Sequence, residues 1–254
     1  MIGKITIWIA LAALLLTSFS VTAQDKKGDD KAKEDEVRQK IAAFKKEISK
    51  AKGDDEIVLI IDKLSEIQHN KILAELKKFL NNGSDKVRST AISNIGKYEQ
   101  SKDAANALLG ALDGNSKGVQ IAILKALGDI KSESSVAGIS NLIFMRGDTD
   151  ISKTAINALV KIRSKFAIEP LIQLLGQLDA INDDPNAPPA IGNVSPKPSE
   201  EELKKMREAE LRWKREMLEP TRGALNALTK QSFKRALEWD NWWQKNKNTF
   251  KVEK

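Results

Sequence analysis

"SDKVRSTAISNIGKY" at residues 84–98 aligns without a gap with "SKGVQIAILKALGDI" at 116–130 and "DTDISKTAINALVKI" at 148–162, so the stretch recurs every 32 residues. The matched positions agree chemically. Ser84, Ser116 and Asp148 open the stretches, and each can accept a hydrogen bond from the free N–H groups at a helix start. Val87, Val119 and Ile151 come next, then Ala91, Ile123 and Ala155, then Ile92, Leu124 and Ile156, then Ile95, Leu127 and Leu159. That spacing is one apolar helical face written three times. Gly96 and Gly128 follow, with Val160 in the third copy, and the two glycines are expected to close their helices.

The intervening segments repeat as well. "ILAELKKFL" (72–80), "AANALLGAL" (104–112), "VAGISNLIF" (136–144) and "IEPLIQLLG" (168–176) start at the same interval. Each unit is therefore two helices joined by short polar turns. A lone unit cannot bury its apolar face, so the units are expected to stack.

These residues resemble short bacterial HEAT-type repeats, in which a Ser or acidic cap is followed by Val-Arg and an Ala-rich second helix. Val87-Arg88 keeps that pattern, whereas Val119-Gln120 and Ile151-Ser152 keep only the apolar residue. The resemblance covers residues 39–178 and, after an interruption, 220–254. It implies an all-α, right-handed α-solenoid (armadillo-type fold) of about four to five helical hairpins. It says little about function, which lives in sites carried on folds.

The ends and the interruption complete the organisation. "MIGKITIWIALAALLLTSFSVTA" has a basic start at Lys4, an apolar stretch from Ile5 to Leu16 and a small-residue end. It reads as a signal peptide over 1–23, the alternative being an uncleaved anchor whose apolar core is short for a span. Residues 24–36 are charged and mixed in sign, which predicts a flexible linker. The repeat domain then runs over 37–254. Against the repeat, Ala224, Leu225 and Leu228 take the places of Ala155, Ile156 and Leu159 at an offset of 69 rather than 32. An insertion over 179–219 accounts for the difference. Five of the seven prolines lie in its loop, 179–198, and Ser199 with Glu202 forms a capping box for a helix over 199–219. The narrow stripe Leu203, Met206, Trp213 and Met217 fits packing on the host; a docking helix is the alternative.

Composition removes several classes of chemistry. There is no cysteine, and the single histidine is His69. Disulfides, thiolate metal sites and cysteine catalysis are excluded, and a His-rich zinc site cannot be assembled. His69, in the polar "SEIQHNKIL", fits a helix end better than a catalytic role. "GALDGNSKG" (110–118) lacks a phosphate-loop pattern, and Asp179, Asp183 and Asp184 lack the spacing of a calcium loop. Neither an enzyme nor a bound cofactor or metal is expected. The net charge of +7 becomes +6 when the leader takes Lys4 and no acid. Matched outward positions read Lys97, Asp129, Lys161, then Ser93, Lys125, Asn157. The signs do not persist, so a phosphate-tracking stripe and a nucleic-acid partner are not expected. Lys245, Lys247, Lys251 and Lys254 allow a weak contact with anionic envelope surfaces.

The expected role is a non-catalytic protein-binding scaffold, exported to the periplasm or the extracellular space and with no membrane span after cleavage. The alternatives are an electrostatic binder of an anionic envelope polymer and an enzyme with a site under the insertion. The candidate partner-binding residues are Arg88, Ser89, Gln120, Lys125, Lys153 and Asn157 on the second helices, with Trp213 and Trp242. In the tail, "EWDNWWQKNKNTFK" (238–251), Trp239, Trp242, Trp243 and Phe250 fall within a ~100° arc of one helix. A C-terminal cap over 230–254 is expected, with Trp242 at the edge of the arc; an aromatic ligand site is the alternative.

Overall fold

The computed structural model describes residues 23–189 and 198–253, with side chains from residue 31 onward. Residues 1–22, 190–197 and 254 lie outside the described residues, and with them most of the expected signal peptide, part of the expected loop over 179–198, and Lys254. Among those described, the chain is all-α, without a strand. The helices are α1 (Ala23–Ile48), α2 (Asp54–Leu64), α3 (Asn70–Lys77), α4 (Asp85–Ile95), α5 (Lys102–Gly110), α6 (Lys117–Ile130), α7 (Val136–Ser140), α8 (Thr149–Ile162), α9 (Ile168–Ala180), α10 (Glu200–Thr229) and α11 (Ala236–Asn246). Short 3-10 segments at Lys78–Asn81, Glu133–Ser135, Asn141–Phe144 and Lys165–Ala167 extend α3, α7 and α9.

The caps read from the sequence are made. Ser84 Oγ accepts from Val87 N, Ser116 Oγ from Val119 N, and Asp148 Oδ1 from both Asp150 N and Ile151 N. Each cap satisfies donors that a helix start leaves without a partner. Every matched apolar position of the three copies is buried. The second helices pack in chain order, α2 on α4, α4 on α6, α6 on α8 and α8 on α10. The first helices form the other side: α7 lies against the turn that leads into α9, and α9 packs on α11.

Polar links join the same helices at the repeat spacing. Asn94 Nδ2 donates to Asp62 (2.7 Å), Ser116 Oγ to Asp85 (2.5 Å), and Lys161 to Asp129 (2.7 Å). Lys117 pairs with Asp148 and Asp150, Lys131 with Glu99, and Lys86 with Asp55. The alternation of sign at outward positions is thus partly pairing between neighbouring helices. Such exposed pairs are screened by solvent and contribute little to stability.

Three expectations need correction. First, Gly128 does not close its helix, and Gly96, which does follow α4 as its C-cap, is not in the left-handed conformation of a typical closing glycine. Gly96 has φ −57° and Gly128 lies within α6. The left-handed closing residues are Lys131 after α6, Arg163 after α8 and Lys230 after α10. The glycines serve close approach: a Cβ on Gly96 would lie 3.0 Å from Ala126 Cβ, and one on Gly128 would lie 3.1 Å from Ala158 Cα.

Second, residues 24–36 are not a linker without structure, because α1 begins at Ala23. Its Lys, Ala and Glu residues favour helix, and the packed part from Val37 onward supplies the anchor. Glu34 ties the charged segment to α3 through His69 Nε2 (3.1 Å) and Lys71. His69 is the residue before α3, and its Nδ1 accepts from Lys71 N at 3.2 Å. Third, the inserted helix does not stop at residue 219. It continues through Pro220 as one 30-residue helix. A proline inside a helix costs about 3 kcal/mol, but Trp213, Met217, Thr221, Ala224 and Leu228 form one buried stripe on both sides of it. The helix packs on α8 and α9.

Candidate functional site

The eight residues singled out from the sequence do not converge. Arg88 Nη1 donates to the Asn82 carbonyl and Gln120 Nε2 to the Leu112 carbonyl (3.3 Å). Ser152, one unit further on, has its hydroxyl within reach of two carbonyl acceptors, Leu142 O and Met145 O, both at 3.0 Å, which share its one proton. These matched side chains clamp the turn before their own helix. Lys153 is bound to Glu216 on α10 at 2.8 Å. The Glu216 carboxyl is held below the usual range, chiefly by that Lys153 bond, with Thr149 adding a second. Lys125 and Asn157 are exposed. Ser89 lines a shallow polar cleft of about 380 Å³ with Asp62, Lys86, Ser93 and Lys97.

Trp213 is only 2 % exposed, with the Arg146 guanidinium 4.8 Å from its ring centroid, so it is no contact surface. Below it, Arg207 is buried and donates to the Asn182 and Asp184 carbonyls and to Glu210 (3.2 Å). The inserted helix thereby holds residues 182–184 of its own loop. Trp239 and Trp243 are buried and Trp242 is half-buried, as their places in the arc predict.

A larger concavity of about 700 Å³ lies on the side of the first helices. Three stretches distant in sequence build it. Glu133 to Asn141 supply one wall through α7; Lys165 to Gln173 supply the other through the start of α9; and Trp243, Lys247 and Asn248 close one end from α11. Local sequence explains each wall. Pro170 sits in the first turn of α9, where a missing N–H costs nothing. Gly138 lets α7 lie close to Leu109, whose Cδ2 would be 2.8 Å from an added Cβ.

The lining is apolar between polar rims. Phe166 is 59 % exposed, although it is aromatic, and Lys165 Nζ lies 5.8 Å from its ring centroid. Val136, Ala137, Pro170 and Trp243 add apolar surface. Trp243 is held by stacking with Trp242 (centroids 6.2 Å apart) and edge contact with Phe250 (6.0 Å). Glu133 accepts from Ser164 Oγ at 2.7 Å, and Lys247 Nζ donates to Gln244 Oε1 at 2.6 Å. Asn141, Gln173 and Asn248 offer amides at the edge. Such a concavity can take apolar side chains while its amides bond a backbone.

Periodicity pointed to Trp243 only as part of the cap, and Phe166 and Pro170 were not among the candidate residues. One signal was available: Phe166 stands where the preceding units carry Ser134 and Lys102. Among the described residues, no group of three or more His, Asp or Glu side chains could hold a metal, and no helix is long and apolar enough to cross a membrane. The chain matches no family model and no curated protein sequence.

Proposed function

We propose that this chain is an exported, HEAT-like α-solenoid of about four to five hairpins that acts as a non-catalytic protein-binding scaffold. Its partner surface is the groove between α7, α9 and α11. The observation that carries the proposal is the exposed Phe166 beside a Trp243-lined groove, since exposed aromatic surface within a concavity is what protein contacts use. The 32-residue spacing, the packing of second helices in chain order and the polar links between matched positions support the solenoid reading. The apolar leader supports export.

The test is affinity purification from the native envelope with three baits: the natural chain, Phe166→Asp and Lys125→Asp. The expected result is a partner held by the natural chain and Lys125→Asp and lost with Phe166→Asp. Loss with Lys125→Asp alone would move the surface to the second helices, and equal recovery by all three would remove both.

A second reading is contact with an anionic envelope polymer through the C-terminal end. Lys230, Lys234, Arg235, Lys245 and Lys251 are exposed there, and Leu237 is 70 % exposed. Binding of this kind weakens steeply with salt, whereas groove binding does not.

A further inference from the structure

Asn82-Gly83 is the one Asn-Gly pair in the chain. It forms the turn between the 3-10 segment Lys78–Asn81 and α4. Gly83 is exposed, and a Cβ built on it would meet nothing within 4 Å. The Ser84 backbone N–H donates to Asn82 Oδ1 at 2.9 Å. That bond polarises the side-chain carbonyl and makes Cγ more electrophilic. Asn82 has ψ 147°, so closure to the imide needs a rotation about its Cα–C bond, which the exposed turn and the following glycine permit. Among the described residues, neither the Asn82 side-chain nitrogen nor the Gly83 N–H has a hydrogen-bond partner.

We infer that Asn82 is a site of spontaneous deamidation in the folded protein. The Gly83 nitrogen gives its proton to solvent base and attacks the Asn82 Cγ. A new N–C bond closes a five-membered succinimide, and the side-chain nitrogen takes a proton and leaves as ammonia. Water then adds to one of the two imide carbonyls and breaks one C–N bond. One opening gives Asp at residue 82; the other gives an isoaspartyl residue whose side-chain carbon has entered the main chain. The sum is one water consumed and one ammonia released. Glycine at the next position favours ring closure, because no Cβ crowds it and its backbone turns freely.

The two products differ in effect. The Asp product adds a negative charge just before α4, where the helix dipole favours it, and the new carboxylate can still accept from Ser84 N. The isoaspartyl product lengthens the main chain at the carbonyl that Arg88 Nη1 clamps. Arg88 then keeps Asp85 but loses its hold on the turn. Asn94 provides the contrast. It is buried in α4, and its side-chain nitrogen is tied to Asp62 and Thr90 O, so it is held against attack.

The test is timed incubation of the full, folded chain in mildly acidic and mildly alkaline buffer, followed by peptide mapping and isoaspartyl-specific methyl labelling. The expected result is Asp and isoaspartyl products at residue 82, forming faster in alkali, with Asn94 intact. Gly83→Ala should slow the reaction by at least about tenfold. An amide that persists at residue 82 would overturn the inference. So would products formed only after unfolding in urea, or Gly83→Ala reacting as fast as the natural chain.

Discussion

Gly128 on α6 lies against Ala158 on α8, so close that a Cβ at 128 would stand 3.1 Å from the Ala158 Cα; Gly96 stands to Ala126 in the same way one unit earlier. The glycines set how near successive second helices come. Alanine is the better helix former by about 1 kcal/mol, but at 128 its methyl meets backbone that cannot move aside.

Gly128→Ala is therefore expected to destabilise the protein by about 1–3 kcal/mol. Gly118→Ala in the same helix, where an added Cβ meets nothing within 4 Å, is expected to stabilise it by up to about 1 kcal/mol. Urea denaturation of the two variants measures this. Equal midpoints would remove the close-approach role.

The tail makes a second comparison. Trp239 is fully buried, edge-on to Phe233 (centroids 5.0 Å), and its Nε1 donates to Phe233 O at 3.1 Å. Trp239→Ala should cost about 3–5 kcal/mol, while Trp242→Ala, at a half-buried position, should cost clearly less. Thermal melting ranks them, and the reverse order would contradict the cap.

Arg207 anchors the inserted helix to its own loop. Arg207→Ala should cost about 3–5 kcal/mol and speed hydrogen exchange over residues 181–187. Arg207→Lys should fail to restore protection, because one ammonium cannot reproduce the planar fork that spans two carbonyls. Full protection in the lysine variant would show that charge alone suffices.

Acid should loosen the contact between α8 and α10. The folded pKa of Glu216 lies below its ordinary value of 4.5, chiefly through Lys153. Its contribution is therefore fully present above that ordinary value and is lost as pH falls through the lowered one. Stability should decline below about pH 4.5, and Lys153→Gln should remove part of the decline. An unchanged acid profile in that variant would assign the loss to other carboxylates, such as Glu34 beside Lys71.

The helices were legible in the sequence because caps and buried faces follow the helical period, from Ser84 and Val87 to Asp148 and Leu159. Gly128 was misread because a closing glycine and a close-packing glycine look alike until the neighbouring helix is known, and Gly96 is both at once. Arg88 and Gln120 looked like surface residues because periodicity reports a face, not a side chain that turns back to a carbonyl. Pro220 hid the continuity of α10, since the packing that carries the helix through it comes from α8 and α9. Beyond the unmatched Phe166, the groove was not legible: its walls at 133–141, 165–173 and 243–248 meet only in three dimensions.

Site-specific photo-crosslinking in the native cell separates the groove from the second helices as the partner surface. A photoreactive residue at 166 in the groove is compared with one at 125 on the second helices; both positions are exposed, so neither should disturb the fold. The groove account predicts a discrete crosslinked protein from 166 and none from 125. A product from 125 alone, or none from 166 under conditions where a partner co-purifies, would contradict it.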